Sequence, residues 1–258
     1  MRIAVFGKTD RGRRRSNNED DLALVDLTGE REIREIAAES LEVGHKGVLL
    51  AVADGVGGRR AGEVASGLAL DVLAQEVESL AQTCPRESIF QTAVEHVNKR
   101  IWKEARAESD LKGMATTLTA AVLCYGRAVL AHVGDSRAYM IREGKIRQIT
   151  RDQSYVQSLV ETGALTAEEA ERSPYRNVIL QAIGKEKGVE VALDALEVAA
   201  GDVLLLCTDG LSDKLRPEEM AGKLDSKDLC WAVESLIGLA NERGGEDNIT
   251  ALACRIEE

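Results

Sequence analysis

The stretch Gly47–Gly58, GVLLAVADGVGG, sets seven small or apolar residues before Asp54 and three glycines within four positions after it. An Asp-Gly hairpin is the plain reading of such a pair, but a hairpin needs a partner strand at once. The next residues, RRAGEVASGLALDVLAQEV, place apolar side chains at Val64, Leu68, Val72 and Val77, nearer helical than strand spacing. Asp54 therefore stands on a strand-to-helix turn, where active-site groups often sit.

A second copy lies downstream. Val203–Gly210, VLLLCTDG, again ends an apolar run in Asp-Gly, and again no hairpin comes after it. A third acid opens a strand: Gly244–Ala251, GGEDNITA, leads into ITALACRI. Asn17–Asp21 (NNEDD) precedes another strand, and Gly134–Arg137 (GDSR) joins two more. Turn chemistry accounts for Asp20, Asp135 and Asp247 one at a time. It does not account for Asp54, Asp209 and Asp247 together, because all three lie at strand ends that a sheet sandwich can bring together. Clustered carboxylates repel by roughly 4 kcal/mol per pair at about 4 Å and an effective dielectric of about 20. Divalent cations remove that cost. Oxygen ligands without His or Cys select Mg²⁺ or Mn²⁺ over zinc.

The 258 residues fit one large domain or two small ones, with 44% hydrophobic residues for a core but only 3% aromatics. A net charge of −11 and a pI of about 5.0 argue against nucleic acid as the main partner. No apolar run reaches membrane-span length, and the first residues lack a signal-peptide apolar stretch, so a cytoplasmic protein is expected. The five scattered cysteines form no CxxC pair and read as small buried hydrophobes in a reducing compartment. Three histidines are poor material for a zinc site or a Ser-His-Asp triad.

Strand-like segments are Ile3–Lys8, Leu22–Asp26, Val48–Ala53, Thr117–Cys124, Ala128–Val133, Arg137–Arg142, Lys145–Thr150, Val189–Val198, Val203–Thr208 and Ile249–Ile256. Helical patterns cover Gly62–Ser79, Pro85–Ser109, Asp152–Thr162, Thr166–Ser173 and Ser226–Glu242. Runs of strands and paired helices, without βαβ alternation, argue for an α+β domain of two packed sheets with helices outside. No linker divides the chain. The charged insert Thr28–Lys46 reads as a helical excursion or a mobile loop without chemistry.

In order along nearly the whole chain, the motifs TDRGRRRSNNED (Thr9–Asp20), ADGVGGRRAGEVAS (Ala53–Ser66), GMATTLTAAVL (Gly113–Leu123), HVGDSRAYMIREGKIRQIT (His132–Thr150), RDQS (Arg151–Ser154), SPYRNVILQAIG (Ser173–Gly184), LLLCTDGLSD (Leu204–Asp213) and GGEDNITALA (Gly244–Ala253) resemble the metal-dependent serine/threonine protein phosphatases, type 2C or PPM, in their prokaryotic branch. The resemblance implies an αββα sandwich over residues 1–258, acting as a cytoplasmic monomer on phosphorylated proteins opposite a Ser/Thr kinase. It implies two Mn²⁺ or Mg²⁺ ions held by Asp54, the Gly55 carbonyl, Asp209 and Asp247, with Glu19 and Asp20 holding waters or ligating at the margin. It further implies phosphate reception by Arg15, a weaker third ion at Asp135, Asp209 and Asp213, and a mobile flap over Ser154–Ala182.

The implied reaction is attack of a metal-bridged hydroxide on phosphoserine or phosphothreonine, without a covalent intermediate. A dedicated regulator of one partner protein and an inactive metal-binding scaffold are the alternatives. Three departures stand out: Arg59 where relatives often carry histidine, Gln153 in the usual DHS, and Ser173 in the usual HPxRN. His132 reads as structural, so no histidine is named as general acid; a metal-bound water or a flap residue would supply the proton. Arg13 and Arg14 read as solvated charges.

Overall fold

In the computed structural model, the described residues are 1–29, 31–33, 36, 38–56 and 61–257, with side chains at 31–33 and 39 left out of the description. Gly57 and Gly58 of the opening stretch and Arg59 and Arg60 after it lie outside them, as do Glu258 and Glu30, Arg34, Glu35 and Ala37 of the charged insert.

Thirteen strands are described: β1 Arg2–Asp10, β2 Asp20–Asp26, β3 Arg31–Ile33, β4 Glu39–Glu42, β5 Val48–Val56, β6 Ala115–Thr116, β7 Leu118–Cys124, β8 Arg127–Val133, β9 Arg137–Arg142, β10 Lys145–Gln148, β11 Ala192–Glu197, β12 Val203–Cys207 and β13 Ile249–Ile256. The helices are α1 Ala61–Leu80, α2 Glu87–Ala107, α3 Tyr155–Glu161, α4 Ala167–Glu171, α5 Asp209–Ser212, α6 Pro217–Leu224 and α7 Leu229–Glu242. One sheet runs β10-β9-β12-β13-β1-β4; the other runs β11-β8-β7-β5-β2-β3, with β6 paired to β5. Every pairing in both is antiparallel.

Strand parity sorts the apolar residues into three cores. Val48, Leu50 and Val52 of β5 meet Leu204 and Leu206 of β12 and Leu252 and Cys254 of β13 between the sheets. The alternate residues Leu49, Ala51 and Ala53 pack under α1 and α2. On the far side Val203, Leu205, Cys207, Ala251 and Ala253 pack under α5, α6 and α7. Layers of helix, sheet, sheet and helix result, the αββα sandwich expected. Because both faces of β5 and β12 are covered, their sequences are continuous apolar runs rather than alternating ones. Truncating Leu50 or Leu206, each fully buried, to alanine would cost about 2–5 kcal/mol.

Where described, the charged insert is neither helix nor loop alone: β3 extends one sheet from β2, and β4 extends the other from β1. Its charges suit edge strands, which gain from not inviting further pairing. Two helices were not expected. In α5 the chain turns at once after β12, and α6 starts with Pro217 at its first turn while the Glu219 carboxylate accepts from the Arg216 N–H (3.1 Å). The last helix begins at Leu229, not Ser226, because the Asp228 carboxylate caps the Trp231 N–H at 2.9 Å. Similarly, Ser154 caps Gln157, so α3 starts at Tyr155 and leaves Asp152 outside it.

Of the cysteines, Cys124, Cys207 and Cys254 are buried; Cys84 and Cys230 are partly exposed, and all five are free thiols. Three of the five are thus small buried hydrophobes, and two are not.

Candidate active site

The inter-sheet core ends in acids at one mouth of the sandwich. Asp20 on β2 and Asp54 on β5 are direct cross-strand partners. They share the parity of Leu22, Leu24, Leu50 and Val52, so they continue the inner face of the sheet. Like charges so placed repel. The facing sheet continues its inner parity with Thr208 and Thr250, whose hydroxyls both donate to Asp20 Oδ2 at 2.7 Å. Asp20 Oδ1 is buried with no hydrogen-bond partner among the described residues.

The main chain at Asp54 is fixed from three directions. Its N–H donates to Thr117 Oγ1, and its carbonyl accepts from the Thr117 N–H and the Thr116 hydroxyl, each at 2.9 Å. The glycine after it answers why Asp-Gly ends the strand without a hairpin: a Cβ on Gly55 would lie 2.1 Å from the Gly62 carbonyl oxygen. The second copy has the same logic, since a Cβ on Gly210 would lie 1.9 Å from the Asn248 carbonyl oxygen. In both places glycine permits close backbone approach and lets the preceding aspartate reach the mouth. Asp209 is the first residue of α5, and its Oδ1 is the second buried carboxylate oxygen without a partner.

Asp54, Gly55, Asp135, Asp209, Asp247, Glu19 and Arg15 line one cleft of about 600 Å³. Asp213 lines an adjoining cavity of about 510 Å³ that shares Asp135 and Asp209 with it. Asp20 lies behind the cleft wall. Asn177 and Ile179, from the segment expected as a flap, also line the cleft, and an isolated antiparallel bridge pairs Ser154 with Ile179 within that segment.

The electrostatics are those of acids without counter-charge. Burial, then Asp20, Asp209, Asp135 and Asp247, push Asp54 well above the usual carboxylate range. Burial and the charges of Asp135, Asp213, Asp247 and Asp20 do the same to Asp209. Asp135 rises to about 7 through burial and its neighbours Asp152 and Asp213. Asp20 also rises to about 7, burial outweighing its two threonine donors. Asp213 is raised by burial against the pull of Arg137 and Arg176; the Arg176 guanidinium stands 3.8 Å away. Asp247 Oδ2 accepts from Arg15 Nη2 at 2.7 Å, and its Oδ1 accepts from the Asn248 N–H at 2.8 Å.

Among the described residues, no three His, Cys, Asp or Glu side chains close around a single ion-sized point. The acids ring an open cleft rather than a finished cage. That fits a small hard cation, which keeps several waters and takes one or two carboxylates from the protein. The two orphaned buried oxygens, on Asp20 and Asp209, are the acceptors such ions would satisfy.

Several residues at the site were not singled out by sequence reasoning. Asn248 stitches the mouth together: its Oδ1 accepts from the Glu19 N–H (2.8 Å), and its Nδ2 donates to the carbonyls of Arg11 and Asn17 (both 2.9 Å). Thr208, Thr250 and Thr117 belong with it; polar residues on the inner parity of apolar strands were the available signal. Arg137 holds Asp152 through Nε and Nη2, three contacts of 2.7–3.0 Å. His132 stands apart from the cleft, buried on β8. Its Nδ1 meets the Thr119 hydroxyl at 2.9 Å, and burial lowers its pKa to about 4.

Comparison with known proteins agrees with this architecture. The protein phosphatase 2C family profile matches residues 37–238. A relative from Listeria innocua, the serine/threonine phosphatase stp, is 39% identical over 249 residues, 95% of this chain and 92% of the relative. The serine/threonine protein phosphatase PstP of Mycobacterium tuberculosis is 38% identical over 98% of this chain, which spans 45% of that longer protein. The crystal structure of Mycobacterium tuberculosis PstP superposes with a TM-score of 0.84 at 37% identity, covering 100% of both chains. The catalytic domain of PstP in complex with two manganese ions superposes at 0.82 and 35% identity, again over 100% of both. With the sandwich, the two Asp-Gly strand ends and this likeness together, the chain belongs to the protein phosphatase 2C family.

Proposed function

We propose that the chain hydrolyses phosphoserine and phosphothreonine in proteins, with two divalent cations, Mn²⁺ or Mg²⁺, in the acid-floored cleft. The observation that carries this reading is the pair of orphaned buried oxygens, Asp20 Oδ1 and Asp209 Oδ1, within a ring of acids. It draws further support from relatives named serine/threonine phosphatases and from the PstP domain with its two manganese ions. Asp54, the Gly55 carbonyl, Asp209 and Asp247 would hold the two ions, with Glu19 and Asp20 at the margin. Asp135 and Asp213, with Asp209, would hold a weaker third. When bound, such ions lower the pKa of a water into the neutral range and neutralise phosphate charge.

The chain's own residues position the substrate. Arg15 lines the cleft, and its bond to Asp247 through Nη2 leaves other N–H groups of the planar fork for two phosphate oxygens. Asp247 orients that guanidinium. Thr208 and Thr250 hold Asp20 by one oxygen only. His132, buried and bonded to Thr119, takes no part in proton transfer. The proposal extends to a single domain over residues 1–258 that acts as a cytoplasmic monomer opposite a Ser/Thr kinase.

The test is hydrolysis of a phosphothreonine peptide by purified protein with Mn²⁺. Turnover that EDTA abolishes and Mn²⁺ restores is expected; no turnover with Mn²⁺, or turnover indifferent to EDTA, would contradict the reading.

A further inference from the structure

Four arginines stand within five positions of the loop after β1: Arg11, Arg13, Arg14 and Arg15. Arg15 is paired with Asp247. Arg11, Arg13 and Arg14 are exposed and, among the described residues, make no ion pair. Three other cations near the mouth are matched: Arg176 faces Asp213 at 3.8 Å, Lys214 pairs with Glu246, and Arg216 approaches Glu219 at 3.4 Å. The acid whose titration Arg14 influences is Glu246, already taken by Lys214.

The backbone carrying these free charges is fixed. Gly12 N–H donates to Asp10 Oδ1 at 2.8 Å, and the Arg13 and Arg14 N–H groups donate to the Gly245 carbonyl at 2.8 and 3.1 Å. Asn248 Nδ2 holds the Arg11 carbonyl at 2.9 Å. Gly12 has a φ of +75°, and a Cβ there would lie 2.1 Å from the Asp247 carbonyl oxygen, so the turn is seated against the entrance to β13. Arg14 sits at the cleft edge beside Arg15. A chain of net charge −11 thus presents three unpaired cations on one anchored loop, next to its most acidic cleft.

We propose that Arg13 and Arg14 form a subsite for carboxylate side chains of the substrate polypeptide, so that phosphoproteins with Asp or Glu beside the phosphorylated residue are preferred. The proposal rests on the phosphatase reading, which places the phosphate at Arg15. An extended chain advances about 3.3–3.6 Å per residue, so substrate positions one to three removed from the phosphoresidue come within reach of the neighbouring loop arginines. Acidic flanks are repelled by the body of the protein and by the cleft floor; the arginine loop is the complementary surface that offsets this. Treating Arg13 and Arg14 as merely solvated charges predicts no dependence on the flank.

The test compares two phosphothreonine peptides of one sequence, flanked by glutamate or by alanine, on the wild-type chain and on the Arg13→Gln/Arg14→Gln double variant. The readout is the ratio of kcat/KM for the acidic over the neutral peptide, which cancels any general loss of activity. A wild-type ratio of about 5–10, the scale of two exposed ion pairs, should fall to within about twofold of one in the variant and shrink in high salt. Arg13→Lys/Arg14→Lys should keep most of it. A wild-type ratio near one, or a ratio unchanged in the glutamine variant, overturns the proposal. Anisotropy of the fluorescently labelled peptides in metal-free buffer reads the same subsite without turnover: tighter binding of the acidic peptide by wild type than by the variant supports it, and equal binding overturns it. Failure to hydrolyse either peptide counts against the phosphatase reading instead.

Discussion

Asp202 and Asp209 bracket one five-residue strand, β12, and their surroundings could hardly differ more. Asp202, 3% exposed at its side chain, takes a two-point grip from Arg142 (Nε at 2.7 Å, Nη2 at 2.6 Å) and the Ala199 N–H at 2.7 Å. Burial works to raise its pKa, but these donors outweigh it and hold the carboxylate below its usual range. Asp209, at the other end, faces Asp135, Asp213, Asp247 and Asp20, keeps one oxygen without a donor, and is driven far up. The same sheet thus neutralises one strand-end acid with protein groups and leaves one oxygen of the other without a partner among the described residues. Where the fold alone is at stake, a buried acid is paired; where it is not paired, the missing charge marks the site of chemistry.

The sharpest way to break this contrast is to remove the acid at each end. Asp209→Asn should lower turnover on a phosphopeptide by at least about 100-fold while the protein stays folded, read by steady-state kinetics and circular dichroism. Activity within threefold of wild type would remove Asp209 from the site. A smaller loss, about tenfold, is expected for Asp135→Asn, with two ions retained and higher Mn²⁺ compensating only in part. Wild-type activity of that variant at low metal would show the third site to be irrelevant. Asp202→Asn should do the reverse of Asp209→Asn: it should cost about 2 kcal/mol of stability, seen in denaturant titration, with kcat unchanged. The smallest effect is in pH. Asp20 and Asp135, raised to about 7 in the folded metal-free chain, bind protons that the unfolded chain releases near pH 4. Their contribution is present at low pH and is lost as pH rises through about 7. His132, lowered to about 4, acts in the opposite sense but is neutral in both states well above pH 6.5. The Tm of the metal-free protein should therefore drop by about 4 °C between pH 6.5 and 8, and saturating Mn²⁺ should abolish the slope. A Tm that rises over this range without metal would contradict the uncompensated cluster.

Much of this was legible before the structure, for a physical reason. Double-sided burial turns β5 and β12 into continuous apolar runs, so an acid at their ends is conspicuous, and Asp-Gly with no hairpin after it asks for another explanation. The support around the acids was not legible. Thr208 and Thr250 reach Asp20 only because two sheets face each other with matched parity, which no single strand reveals. The Arg137–Asp152 grip crosses the β9–β10 hairpin and leaves no periodic trace. Residues 31–33 and 39–42 pair as strands in spite of their charge, because as short edge additions they need backbone partners more than a buried face.

The central claim is that external cations supply the counter-charge that Arg142 supplies to Asp202. Calorimetric titration of metal-free protein with Mn²⁺ tests it most directly. Two tight ions per chain, besides the weaker third, are expected for the wild type and for Asp202→Asn, and at least one of the tight pair should be lost in Asp209→Asn. No Mn²⁺ bound by the wild type, or an Asp209→Asn isotherm matching it, would contradict the account.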